Sequence, residues 1–284
     1  MFILKLIAYL PLWSLYLIAD FLFFVSYYVV GYRKKVVLSN LYNSFPDKSE
    51  KEIKKIARGF YRSLADFAME LLKANRMSPQ QIKERVVFTN TEILSPFKGK
   101  TIMYLASHQF NWEWMSLSAA LDFAKNLDFI YQPLTNKSFD RYMIELRSRF
   151  GAKPISTQHA AREVIKGSKE GRGFAIVGDQ IPQRGLRKYW TTFLNQETSF
   201  FMGAESLAKL VKCPVFYFAC TKVKRGYYKV EVIPIGVPPY KKEDHSILDN
   251  YVDAVEKIIQ ENPSEWLWSH KRWKYTKKEV ENHS

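Results

Sequence analysis

The chain has 284 residues, 47% of them hydrophobic, which is enough for a sizeable core and excludes a disordered chain. Lys and Arg outnumber Asp and Glu 43 to 28, and the formal charge of +15 favours an anionic partner such as phospholipid, nucleic acid or an acidic carrier protein. The only two cysteines, Cys213 and Cys220, stand in apolar strand-like sequence, so they argue against a disulfide framework and read as buried thiols of a reducing, cytoplasm-facing body.

From Phe2 to Val30 only Lys5 and Asp20 are charged. A spanning helix needs about 20 mostly apolar residues, so this segment is long enough to cross a bilayer or to lie deep in one leaflet. Pro11 is expected to kink it, and Asp20 would cost energy in hydrocarbon. It lacks the small-residue cleavage pattern of a signal peptide and reads as a retained anchor. Arg33, Lys34 and Lys35 follow at once, and this charge bias is expected to place the body on the cytoplasmic side. The rival is a buried hairpin of core helices.

Val36 to Ala74 reads as helical with a break at Pro46, and Ile53, Ile56, Ala57, Phe60, Tyr61, Leu64 and Phe67 form a core stripe at helical spacing. Asp47 and Glu50 suggest a helix start, as do Ser78 and Pro79. Beyond Val86, short apolar runs alternate with amphipathic segments. Strands are expected at Thr101–Ala106, Leu127–Tyr131, Phe174–Val177, Val215–Ala219 and Tyr228–Ile233. Helices are expected at Trp112–Phe123, Asp140–Phe150, Ala160–Glu170 and Gly203–Val211. This pattern predicts an α/β fold with a mixed central sheet flanked by helices, organised as an anchor over residues 1–30 and one domain over 31–284.

The stretch Ala106-Ser107-His108-Gln109-Phe110-Asn111-Trp112-Glu113 carries the chemistry. An apolar run ends at Ser107 and a helix begins just beyond it, so His108 is expected at a strand-to-helix turn. Five residues on a regular helix rotate by about 500°, so His108 and Glu113 can meet only if His108 precedes the helix. An imidazole there can accept a hydroxyl proton at neutral pH, with a carboxylate on its other nitrogen fixing the tautomer. This is triad logic without a protein nucleophile. The bland alternative is a partly buried His followed by a first-turn Glu.

A His followed after four residues by an acid, the HX4E pattern, resembles glycerolipid and lipid A acyltransferases. Gly31-Tyr32-Arg33 with Asn40-Leu41 and Phe45-Pro46 is similar to the post-anchor signature of the lipid A late acyltransferases. Glu170-Gly171-Arg172-Gly173 with Gly178-Asp179-Gln180 resembles their second block, and Phe200-Phe201-Met202-Gly203 with Leu207-Ala208 and Cys213-Pro214-Val215 their third. Asn262 to Trp273 resembles their closing segment. The resemblance implies a glycerolipid-acyltransferase-like fold and transfer of a fatty acyl chain from a thioester of acyl carrier protein or coenzyme A to a hydroxyl of a membrane glycolipid, here a lipid A precursor. It makes His108 the general base and Glu113 its orienting partner. Arg149, Asp179, Gln180 and Asn111 are expected to contact substrate, with Asp179 taking a sugar hydroxyl or bracing Arg149. Phe193-Leu194-Asn195 departs from the family pattern, which leaves the acceptor open. Beyond the acyl thioester, no cofactor is implied.

Arg184, Arg187, Lys188 and Tyr189 read as a basic loop for anionic headgroups or an acidic carrier protein, with a solvated surface as the alternative. Trp266, Trp268 and Trp273 alternate with cations and suit either a lipid interface or the core. No phosphate loop, dinucleotide turn or esterase elbow is present. The scattered histidines offer no metal site, and no nucleic-acid motif accompanies the charge. Three rivals remain: the same chemistry on a phosphoglycolipid or aminoacyl lipid, a thioesterase, and a non-catalytic basic protein bound to an anionic membrane surface.

Overall fold

The computed structural model describes residues 6–281 except 124–126, 184 and 242. Phe2 to Lys5 of the apolar segment and Arg184 of the basic loop lie outside the described residues.

The apolar segment forms α1, Leu12–Phe24, continued by a π-helical turn over Val25–Val29. Pro11 does interrupt the apolar segment: residues 6 and 7 are helical, residues 8–10 form a turn, and Pro11 is the N-cap of α1, where its missing N–H leaves no intrahelical bond unmade. Two helices follow: α2, Lys34–Ser44, then the long α3, Glu50–Ala74. The break at Pro46 is as the sequence suggests, but the cap of α3 is Ser49, not Asp47. Ser49 and Glu52 satisfy each other's backbone amides in a capping box. The α3 stripe from Ile53 to Tyr61 is buried, and α1 lies along it. The next helix, α4 (Pro79–Arg85), is capped by Ser78 in the same way, with Pro79 in its first turn.

The core is a seven-stranded mixed sheet in the order β1-β9-β8-β2-β5-β3-β4. Its strands are β1 Val86–Thr89, β2 Ile102–Ala106, β3 Leu127–Tyr131, β4 Pro154–Ser156, β5 Gly173–Val177, β8 Val215–Lys224 and β9 Tyr227–Gly236. β8, β2, β5, β3 and β4 run parallel, whereas β9 returns antiparallel to β8 and pairs with β1. The central strand, β2, is buried at every residue, as a strand covered on both faces must be. Helices α5 (Trp112–Asp122), α6 (Lys137–Arg147), α7 (Ala160–Ser168), α8 (Gly203–Val211) and α9 (Ser246–Glu261) supply that cover, and α10 (Lys277–Glu281) ends the described chain.

Strands β1 and β4 and helix α10 escape the sequence reading, as do two elements that bear on the site. The basic loop leads into a hairpin, β6 Lys188–Phe193 and β7 Gln196–Phe201. Its two-residue turn, Leu194-Asn195, has both residues at positive φ, a conformation that a glycine usually signals. Within that loop Arg187 is exposed, whereas the Tyr189 hydroxyl donates to Asp249 at 2.7 Å. The other element is α9, whose Tyr251 hydroxyl donates to the Ala106 carbonyl at 2.6 Å and so fixes the end of β2.

Candidate active site

β2 ends at Ala106, and its carbonyl accepts from both Tyr251 and the Gly178 amide. That clamp joins the ends of the adjacent parallel strands β2 and β5, the edge where an α/β sheet gathers functional loops. His108 leaves from the first end and Asp179 from the second. Nδ1 of His108 lies 2.6 Å from Asp179 Oδ1, and the His108 backbone N–H donates to Oδ2 at 2.9 Å. Trp266 Nε1 donates to the same Oδ2 at 2.6 Å.

Asp179 is completely buried, which by itself would raise its carboxyl. The neighbouring His108 charge and the hydrogen bonds from the His108 ring, the His108 backbone and Trp266 outweigh that penalty and hold it below the usual carboxylate range. The His108 side chain is 16% exposed, so with Nδ1 committed its Nε2 is the nitrogen left for substrate. His270 packs nearby. The Ile181 amide donates to its Nε2 at 3.4 Å, and burial, together with the nearby His108 and Arg272 charges, lowers its pKa to about 4.

Glu113 stands elsewhere in this arrangement from its expected place beside the imidazole. It begins the first turn of α5, is buried, and receives Arg147 in a two-pronged bond: Nε to Oε2 at 3.0 Å and Nη2 to Oε1 at 2.5 Å. Trp112 Nε1 donates to Oε1 at 2.9 Å, and the Trp112 ring packs edge-on to that of His108 with centroids 5.0 Å apart. The carboxylate on the His108 ring is therefore Asp179, and Glu113 holds a cation beside the site. Arg147 was missed because two arginines flank Ser148, and the expectation fell on Arg149.

Arg149 turns away from this cluster. Its Nη1 donates to the Ala74 carbonyl and its Nη2 to the Met77 carbonyl at 2.9 Å, which ties the guanidinium to the C-terminal end of α3 and not to a ligand. Nor does Asp179 brace it. Asn111 is fully buried and caps α5: its Oδ1 accepts from the Glu113 and Trp114 amides, and its Nδ2 donates to Glu70 at 2.7 Å. That arrangement gives it a structural duty in place of the expected substrate contact. Gln180 is half-buried beside Asp179. Arg172 of the second block pairs with Asp128 on β3 at 2.8 and 2.5 Å.

The closing segment supports the site from behind. Trp266 and Trp268 are core residues, 2% and 0% exposed, which removes them from any lipid interface. Asn40 donates to the carbonyls of Trp268 and His270, Arg33 donates to that of Ser269, and Phe45 packs on Trp268. The post-anchor residues and the closing residues, some 230 positions apart in sequence, are thus one structural unit.

No covalent nucleophile stands out at the turn. The Ser107 hydroxyl is buried against Tyr217 at 2.7 Å, and burial pushes both the Cys213 and Cys220 thiols up to about 12. A base without a protein nucleophile suits direct transfer between two substrates.

No curated protein matches the chain, but a family profile described as bacterial lipid A biosynthesis acyltransferase matches residues 1–275. The chain belongs to the bacterial lipid A biosynthesis acyltransferases.

Proposed function

We propose that this acyltransferase moves a fatty acyl chain from an acyl thioester, carried by acyl carrier protein or coenzyme A, to a hydroxyl of a lipid A precursor, with His108 as general base. The observation that carries this reading is the 2.6 Å contact of His108 Nδ1 with buried Asp179, which selects the tautomer with a free lone pair on Nε2. Nε2 takes the acceptor proton, and the acceptor oxygen attacks the thioester carbonyl. The tetrahedral intermediate then collapses, forming the ester bond and breaking the carbon–sulfur bond. The proton passes from His108 to the departing thiolate, which leaves as a thiol. Arg147, held by Glu113, supplies positive charge beside the turn for the developing oxyanion or an acceptor phosphate. Glu113 thus contributes through the arginine, and Asp179 through the imidazole. Mass spectrometry of lipids from a deletion strain tests the acceptor: underacylated lipid A supports it, and unchanged lipid A refutes it.

We further propose that the apolar segment over residues 6–30 seats the protein in the bilayer surface without crossing it. Leu12–Val29 is long and apolar enough to span. One face, Leu15, Ala19, Phe23 and Tyr27, is buried against the body, and the opposite stripe, Trp13, Leu17, Phe21, Phe24 and Tyr28, is exposed. Asp20 pairs with Arg225 at 2.8 Å, so it faces the body and not lipid. The α3 partner carries Lys54, Lys55, Arg58 and Arg62, which could not follow α1 into hydrocarbon. Arg58 and Arg76 stack on Tyr28 and Tyr9, which puts cations at the rim of the apolar stripe. At its C-terminal end an open groove of about 550 Å³, lined by Gly31, Arg33, Lys34 and Lys35 among others, suits an anionic headgroup on the cytoplasmic face.

A further inference from the structure

Glu70 on α3 is fully buried, yet no cation is bonded to it among the described residues. Its carboxylate instead accepts three uncharged donors from three elements: the Tyr16 hydroxyl of α1 at 2.8 Å, the Asn111 amide before α5 at 2.7 Å and the Tyr228 hydroxyl of β9 at 2.6 Å. Its own carbonyl accepts from Trp114 Nε1 at 2.9 Å. Such a carboxylate is stable only while its donors are in place, because an unpaired buried charge is far more costly than an unpaired neutral group. Lys222 and Arg225 are bonded instead to Asp66, one turn earlier on α3.

Asn111 is used from both ends. Its Nδ2 is held by Glu70, which forces Oδ1 toward the Glu113 and Trp114 amides and fixes the first turn of α5. Glu113 in turn holds Arg147 and accepts from the Trp112 indole, whose ring packs against that of His108. At the other end of this chain Tyr16 is tightly seated, since a Cβ on Gly226 would meet its hydroxyl at 2.2 Å. We propose that Glu70 is a positioning residue that couples the docking of the membrane-facing helix α1 to the first turn of α5, so that α1 belongs to the catalytic apparatus and is not only an anchor. This inference rests on the acyl-transfer reading for its kinetic consequence, though not for its structural one.

Tyr16→Phe removes one oxygen and leaves the helix apolar, so it is the gentle variant; Glu70→Gln removes the charge and turns one of the two accepting oxygens into a donor. Turnover of acyl carrier protein thioester with a lipid A precursor is measured on the full-length chain for both variants and the double variant. Tyr16→Phe is expected to lower kcat about tenfold with KM for the thioester nearly unchanged, the size of one lost charge-assisted hydrogen bond. Glu70→Gln lowers it further, and the double variant is no slower than Glu70→Gln alone. Wild-type kcat in Tyr16→Phe, or multiplicative losses in the double variant, would overturn the coupling. Hydrogen exchange reads it without catalysis: the Glu113 and Trp114 amides exchange faster in Tyr16→Phe, and unchanged protection there overturns the proposal. Wild-type protein that consumes no thioester defeats the acyl-transfer reading instead, leaving exchange to decide the coupling.

Discussion

The Trp266 indole donates to Asp179 at 2.6 Å across 87 positions of sequence. One carboxylate oxygen is thereby occupied by a core residue and a backbone amide, and the other is left to face the His108 ring. Removing the charge while keeping the shape asks what that alignment is worth. Asp179→Asn is expected to lower kcat by about 10³ to 10⁴ while the fold persists, because an amide donating to Nδ1 stabilises the wrong tautomer. Steady-state kinetics check this; a loss below tenfold would mean that the imidazole does not depend on Asp179.

Glu113 and Arg147 form a nearly buried ion pair, with side chains 3% and 21% exposed. Breaking such a pair strands a charge and costs about 3 to 5 kcal/mol. Glu113→Gln should therefore lower both urea resistance and kcat. Arg147→Ala should lower kcat with a smaller loss of stability, since the carboxyl left behind can take up a proton. Equal kcat in both variants and wild type would separate the pair from the chemistry.

Arg149 gives a contrasting result. Its bonds to the Ala74 and Met77 carbonyls close the end of α3, so Arg149→Ala is expected to cost about 1 to 2 kcal/mol of stability and leave KM for both substrates unchanged. A selective rise in KM for the acceptor would restore Arg149 as a substrate ligand.

His270 adds an acid-sensitive element. Its folded pKa, lowered to about 4 chiefly by burial, lies below the value of about 6.5 expected unfolded. Between these values the unfolded chain binds the proton and the folded chain does not, so stability is complete above about pH 6.5 and falls as pH drops toward 4. Asp179, whose carboxyl is also held low, adds a further loss at still lower pH. Urea midpoints across this range should decline for wild type and flatten in His270→Asn; parallel curves would remove His270 from the acid response.

Much of this was legible in the residues. The apolar run ending at Ser107 and the amphipathic run after Trp112 locate the turn, because strand and helix periodicities are local. The hairpin was hidden because Leu194-Asn195 carries no glycine at two positive-φ positions. The partner of His108 was hidden for a different reason. A His and a Glu five positions apart are visible in sequence, but Asp179 reaches the ring only because β2 and β5 lie side by side, a pairing that no local pattern encodes. The same holds for Arg147 and Arg149, whose neighbouring positions give no sign of which one turns toward Glu113.

The most direct test of the account is turnover of acyl carrier protein thioester and a lipid A precursor by wild type and His108→Ala. The account predicts an acylated lipid from wild type and a loss of at least about 10³ in kcat for the variant, with thioester binding retained. His108→Ala turning over as fast as wild type would contradict it.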